Sequence, residues 1–468
     1  MKSVPVPPLA LPLAMPSSPA LSLRPSARHG FLPSLLFRPV DIAPLVVFRV
    51  VFGFLLFVES IGAIAIGFVH EAYIEPRFHF TYIDVPWLTP LPGYGMVLLY
   101  AAMGVFSLGV MLGYRYRLSC ALLLGAFTYG FLLEQAHYIN HHYLIILYGF
   151  LLCFMPANRY ASLDARANPE IRREAIPAWP IVLLASQMAV VYLFAAFAKL
   201  NPDWLAALPL KAWFEAKTHY PVLGRFLEME VMPWVFAYGG IAFDLFIVPA
   251  MLWWKTRKAA FALAVVFHLM NLATFLIGIF PFLAIAATAL FFPPDAFRRA
   301  FFPEKAPVTA SEGRPLFPVS RPVVLFCIAW LTIQVVLPLR PYLYEGDPAW
   351  TEAGHRYAWR MMLRAKAGTL LYTVHFQDGT RQDVDPGEFL TDTQSATVSI
   401  EPEMLWRMAG FLEEHFEEEG RAVEAVTANS QVTLNGREYT RFVDPDLDLT
   451  EYEWRRFRVP PWLKPAPE

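Results

Sequence analysis

The sequence predicts a polytopic α-helical membrane protein: about nine transmembrane helices, then a small α+β C-terminal domain on the extracytoplasmic side. Three observations predict it. Of 468 residues, 56% are hydrophobic and only 17% charged, where soluble domains carry about 25% charged residues. Apolar runs of spanning length recur from residue 44 to residue 340. Beyond residue 350 they stop, and strand-like alternation broken by Asp-Gly and Asn-Gly turns takes over.

Residues 1–40 are rich in Pro, Ser and Leu with scattered arginines and lack a secretory cleavage pattern, so they read as a flexible, retained tail. Nine apolar runs follow, at about 44–69, 95–113, 118–134, 140–156, 179–200, 232–254, 258–277, 279–292 and 323–340, and define a transmembrane domain over 41–341. The run 279–292 is short for a span, and 140–156 opens on polar residues.

Lysine and arginine in short connections stay cytoplasmic. Here they crowd alternate connections: Lys2, Arg24, Arg28 and Arg38; Arg115 and Arg117; Arg159, Arg166, Arg172 and Arg173; Lys255, Arg257 and Lys258; Arg298, Arg299, Lys305, Arg314 and Arg321. The intervening connections are poorer, with Arg77 alone in 70–94 and no lysine or arginine in 135–139. The N-terminus is therefore expected in the cytoplasm and the region 342–468 outside. In that region Leu370 to Phe376 and the turn at Asp378-Gly379 predict a hairpin. Met404 to Glu419 predicts an amphipathic helix, and Asn435-Gly436 a second hairpin.

Polar residues inside hydrocarbon face a protein interior or a wet cavity. Lys199 closes the run Ile181 to Leu200, and the predicted topology puts it at the same membrane depth as Asn140, His141 and His142. His268 and Asn271 share one helical face, and Asp244, Arg49 and Glu59 interrupt apolar stretches. These groups are expected to line one pocket. An amine at the edge of hydrocarbon either snorkels toward headgroups or, starved of water, gives up its proton and becomes a base. His137 and His142 also fit interfacial hydrogen bonding, and Asp244 and Arg49 a structural charge pair or hydrogen-bonding anchors.

Other chemistries are disfavoured. The net charge of −2 supplies no basic surplus for nucleic acid. Cys120, Cys153 and Cys327 lie in or beside apolar runs without CxxC spacing, which speaks against a disulfide framework or a zinc cluster. His141 and His142 are adjacent on a helix, point about 100° apart and chelate poorly, so no metal is expected.

Motifs occur in order across the chain: Phe78-His79-Phe80-Thr81-Tyr82, Met111-Leu112-Gly113, Asn140-His141, Val191-Tyr192, Lys199-Leu200 with Asp203-Trp204, Gly239-Gly240 with Asp244-Leu245, His268 with Met270-Asn271, Ile277-Gly278 with Phe280, Trp359 with Met361-Met362, and Asp444-Pro445. In these the chain resembles vitamin K-dependent gamma-glutamyl carboxylases and their bacterial relatives with the horizontally transferred transmembrane domain. The resemblance implies that Lys199 is the base toward reduced vitamin K, a hydroquinone of menaquinone or phylloquinone type, and that His141 assists it. Asn140, His268, Asn271, Tyr192 and Asp244 are then expected to bind the quinone. Oxygen and carbon dioxide would be co-substrates. The quinone leaves as its 2,3-epoxide while a glutamate of a peptide or protein is carboxylated. The lipid bilayer is the remaining partner. The chain departs from the animal enzymes at Ala198, where they carry a second lysine, and lacks their luminal cysteine pair. A quinone epoxidase without carboxylation, and a non-catalytic transporter or scaffold, remain the alternative classes.

Overall fold

The computed structural model describes residues 30–217, 223–275, 277–308 and 317–467. Residues 1–29 of the expected tail lie outside them. From Gly30 the chain already packs: a short helix, Phe31–Phe37, buries Leu36 and Phe37, and β1 (Pro39–Asp41) pairs antiparallel with β2 (Ala175–Pro177). Residues 30–41 are thus packed against the bundle, where Phe37 and Asp41 have partners. Asp41 forms a buried ion pair with Lys305 at 2.5 Å.

All nine apolar runs are helical. Among the described residues, seven helices are long and apolar enough to cross a membrane: α1 (Ala43–Ala65), α2 (Gly95–Leu112), α3 (Tyr116–Leu133), Trp179–Ala198, Met232–Leu252, Arg257–Phe275 and Arg321–Leu343. The remaining two are the ones whose sequences are unusual. α4 (Asn140–Phe154) has 15 residues, about 22 Å at 1.5 Å per residue, short of a hydrocarbon core of about 30 Å. In chain order the others are α5 (Trp179–Ala198), α6 (Met232–Leu252), α7 (Arg257–Phe275), then α8 (Phe280–Ala289) and α9 (Pro294–Phe301), bent by 113° at their break, and α10 (Arg321–Leu343). Pro293 and Pro294 sit at that bend, where neither can supply a backbone donor.

Close approach of α1 and α2 depends on glycine. A Cβ on Gly53 would lie 2.5 Å from Met111 N, and one on Gly104 would lie 2.9 Å from Ile61 Cδ1. Arg49 on α1 is buried at 1% exposure, where its guanidinium donates to Ala157 O and Ala161 O, each at 2.7 Å. It anchors the connection after α4 and is not paired with Asp244. The most enclosed span is α5, with 72% of its apolar window buried, whereas α6 and α7 have 33% and 22%. The site is built where the enclosed helix meets the exposed pair.

The C-terminal part folds around its own core. β3 (Lys366–Phe376), β4 (Arg381–Val384), β5 (Val423–Leu434) and β6 (Thr440–Arg441) form an antiparallel sheet in the order β4-β3-β5-β6. Its turns are the expected ones, with Gly379 at φ 84° after β3 and Asn435-Gly436 at φ 56° and 81° after β5. Tyr372, Val374 and Phe376 alternate inward and meet α11 (Asp392–Val398) and α12 (Pro402–Glu418), which contributes Met404, Leu405, Met408, Leu412 and Phe416. Phe80, from the loop after α1, joins this core. Buried Glu134, just past α3, accepts from Gln394 Nε2 at 2.8 Å and from Phe80 N at 3.3 Å. The sheet domain is therefore tied to one end of the bundle.

Candidate active site

Lys199 stands at the C-terminal end of α5, and its stem folds back along the last turn. Nζ donates to Ala195 O at 3.2 Å and to Asp244 Oδ2 on α6 at 2.7 Å. Both side chains are buried. The amine thus has a carboxylate partner from a neighbouring helix as well as apolar surroundings. Trp204 adds a ring face 5.4 Å from Nζ and is itself fixed by Nε1 donating to Ala237 O at 3.0 Å.

Two histidines complete this end. His141, the second residue of α4, stacks on Phe280, the first of α8, with ring centroids 3.9 Å apart. His268 on α7 bonds through Nε2 to Tyr192 Oη at 2.8 Å, and Tyr192 Oη contacts Thr288 Oγ1 at 2.6 Å. Among the described residues, Nδ1 of each histidine is buried without a hydrogen-bond partner, a costly arrangement that a polar ligand would relieve.

These groups line one cavity of about 740 Å³, within the range of small-molecule sites. Lys199, His141, His268, Asn271, Tyr192 and Asp244 all border it. Asn140 does not. Its Oδ1 accepts from Tyr138 Oη at 3.0 Å and its Nδ2 donates to Arg360 O at 3.3 Å, so it fastens a loop of the C-terminal domain beside His141. Arg49, Glu59 and His142 also lie off the cavity, with His142 Nε2 3.6 Å from Glu59. Sequence reasoning missed Thr288, the lone hydroxyl in the apolar stretch of α8; that isolation was its signal.

Away from its polar end the cavity runs between α6 and α7, past Phe246, Ile247 and Ala250 on one side and Leu263, Ala260 and Ala259 on the other. At 1.5 Å per residue this apolar arm extends about 9 Å along α6 from Asp244 and about 14 Å along α7 from His268. Phe246 and Leu263 are 61% and 56% exposed on the bundle's flank, so the arm opens sideways where lipid would lie. Met361 and Met362, from the C-terminal domain, border the opposite end.

A second polar cluster was not legible in the sequence. Glu352, His355 and Glu401 bring candidate ligand atoms within 4.8 Å of one another. Arg364 Nε at 2.5 Å and Lys366 Nζ at 3.1 Å hold Glu352, while Arg356 pairs with Glu401 and Glu403. Three cations already balance three carboxylates, which leaves no charge for a divalent ion to neutralise. Burial, then the neighbouring Glu352, push Glu401 up to about 7, and burial holds His355 down to about 3.

The bundle and the sheet domain each match a known family. Residues 37–296 match the HTTM domain, and residues 319–468 match the vitamin K-dependent gamma-carboxylase, lumenal domain. No solved structure matches the chain. Matches to both halves, one spanning the helices that build the lysine-bearing cavity and the other the sheet domain that caps it, place this chain in the vitamin K-dependent gamma-glutamyl carboxylase family.

Proposed function

We propose that the protein couples oxygenation of reduced vitamin K to carboxylation of glutamate in a peptide or protein, with Lys199 as the base and His141 as its assistant. The single observation that carries this is the pairing of a buried Lys199–Asp244 couple and two histidines with one end of a ring-sized apolar cavity. When bound, the hydroquinone supplies the reducing power and, after reaction with oxygen, the basicity needed to remove a glutamate γ-proton. The residues do the rest.

Lys199 must receive a hydroquinone proton, so its own must have somewhere to go. Asp244 at 2.7 Å is that place: the ammonium–carboxylate pair and the amine–carboxylic acid pair are both neutral overall, and low dielectric disfavours separated charge over a shared proton. His141, its ring held flat against Phe280, presents an imidazole to the same space. Tyr192 and Thr288 hold His268 where it can hydrogen-bond a second ring oxygen. The arm between α6 and α7 receives an isoprenoid tail and admits it from the bilayer. Apolar walls keep bulk water from reactive carbanion chemistry. We place the C-terminal domain on the extracytoplasmic face, on the strength of the alternating basic connections.

The test is reconstituted protein given reduced vitamin K, oxygen, labelled bicarbonate and a glutamate peptide. Epoxide together with acid-stable label in the peptide supports the proposal. Epoxide without label identifies a quinol oxygenase, and neither product removes the reading.

A further inference from the structure

Lys199 sits on a corner that the C-terminal domain grips. Directly after it, Asn201 bridges two helices: Nδ2 donates to Ala198 O at the end of α5 and Oδ1 accepts from Trp204 N in the short helix Pro202–Leu205, each at 2.9 Å. Pro202 fixes φ at the first position of that helix. Trp204 is then pinned to α6 with its ring beside the lysine. So braced, Asp203 and Lys199 stand on one hydrogen-bonded corner.

Asp203 is held from the other side. Arg437 donates Nη1 to Oδ2 and Nη2 to Oδ1, both at 2.7 Å, and Asn435 Nδ2 donates to Oδ2 at 2.5 Å. A two-pronged guanidinium–carboxylate pair fixes direction as well as distance. Both partners belong to the left-handed Asn435-Gly436 turn between β5 and β6. Asn435 also binds both polar groups of Ala365, its N donating to Ala365 O at 2.7 Å and its Oδ1 accepting from Ala365 N at 2.8 Å. The residues on either side, Arg364 and Lys366, hold Glu352 in the buried charge cluster. Leu363 packs beside Ala198 and Trp204. A half-exposed ion pair contributes little to folding, so what distinguishes this one is its place, four residues past the lysine and across two domains.

We infer that Asp203, Arg437 and Asn435 form a clasp by which the C-terminal domain sets the position of Lys199 against Asp244 and the cavity. They act as positioning residues, and the inference rests on Lys199 being the base. The test uses full-length protein in lipid, carrying Arg437→Met, Asp203→Asn, or the charge-swapped pair Asp203→Arg with Arg437→Asp. Each single variant is expected to lower kcat for quinol oxidation roughly 10-fold with the quinol KM within about twofold, and to displace the pH profile of kcat; the swap is expected to recover about half of the loss or more. Unchanged kcat in both single variants overturns the inference. So does a fall in kcat that keeps the original pH profile and is not recovered by the swap, which is how a purely structural pair behaves. Lys199→Ala is measured alongside: turnover surviving in it removes the base assignment and the clasp together, whereas loss of turnover there with fully active Arg437→Met and Asp203→Asn removes the clasp alone.

Discussion

Lys199 Nζ lies 2.7 Å from Asp244 Oδ2, with both groups buried at the polar end of the cavity. In the proposed chemistry Asp244 is the partner through which the lysine's proton is handed on. Lys199→Ala is expected to lower epoxide formation by about 10² or more, the usual scale of a lost acid–base group, with membrane insertion intact. Asp244→Asn keeps the shape and one acceptor but cannot take up a proton, and is expected to lose activity on the same scale. Initial rates of epoxide formation check both, and wild-type rates in Asp244→Asn would remove the proton-sharing role.

His268 depends on Tyr192, whose hydroxyl it shares with Thr288. Tyr192→Phe removes both hydrogen bonds of that hydroxyl; the one that holds His268 is worth about 0.5–1.5 kcal/mol, so kcat is expected to fall roughly 2- to 10-fold. Thr288→Val is expected to fall in the same range. Steady-state kinetics of the two single variants and their double form the check; strict additivity would mean that the three side chains do not act as a chain.

The arm between α6 and α7 predicts selectivity for tail length. Filling it with Ala260→Phe, or from the facing helix with Ala250→Phe, is expected to raise KM for a long-tailed quinol about 10-fold relative to a tail-less one. KM measured for naphthoquinols of increasing isoprenoid length decides this. A wild-type KM indifferent to tail length would exclude the arm as the tail site.

Arg49 belongs to the fold and not to the chemistry. Arg49→Met leaves the buried carbonyl of Ala157 without its donor, at about 1–3 kcal/mol, and releases the solvent-facing Ala161, so thermal unfolding is expected a few degrees lower. Turnover per folded molecule is expected to be unchanged, and the comparison of melting curves with active-site-normalised rates separates the two effects.

Glu401 sets a pH trend in the C-terminal domain. Its pKa is raised in the folded state to about 7, from the ordinary glutamate value of 4.5, so between those values the unfolded chain holds fewer protons than the folded one. Stability from this group is therefore greatest below about 4.5, falls as pH rises toward 7, and is flat above. Glu401→Gln removes the trend, and the variant's melting temperature relative to wild type is expected to climb across that window. His355, held down to about 3, is uncharged across that window in the folded protein, and Arg356, Arg364, Lys366 and Glu352 also surround the group.

Much of this was readable in advance because hydrophobic run length and turn chemistry are local. The nine helical runs and the Asp378-Gly379 and Asn435-Gly436 turns are examples. Lys199, His141, His268, Asn271 and Asp244 were readable as a group, since a polar side chain within hydrocarbon needs company, whereas Tyr192 entered only through the family resemblance. Which polar group meets which was not. Asp244 pairs with Lys199 and not Arg49, and Asn140 turns from the cavity to Arg360 O, because these outcomes depend on helix rotation and on loops far away in sequence. Glu352 and His355 meet Glu401, and Arg437 meets Asp203, across more than 45 positions of sequence, and no periodicity announces such meetings.

The cavity's flank opening has a bearing on how the enzyme meets its substrate. A quinol that arrives between α6 and α7 is dissolved in the bilayer before it is bound, so the concentration governing turnover is its mole fraction among the lipids. Adding empty vesicles or detergent at constant total quinol will slow the protein by dilution in two dimensions, while changing the volume of buffer will not.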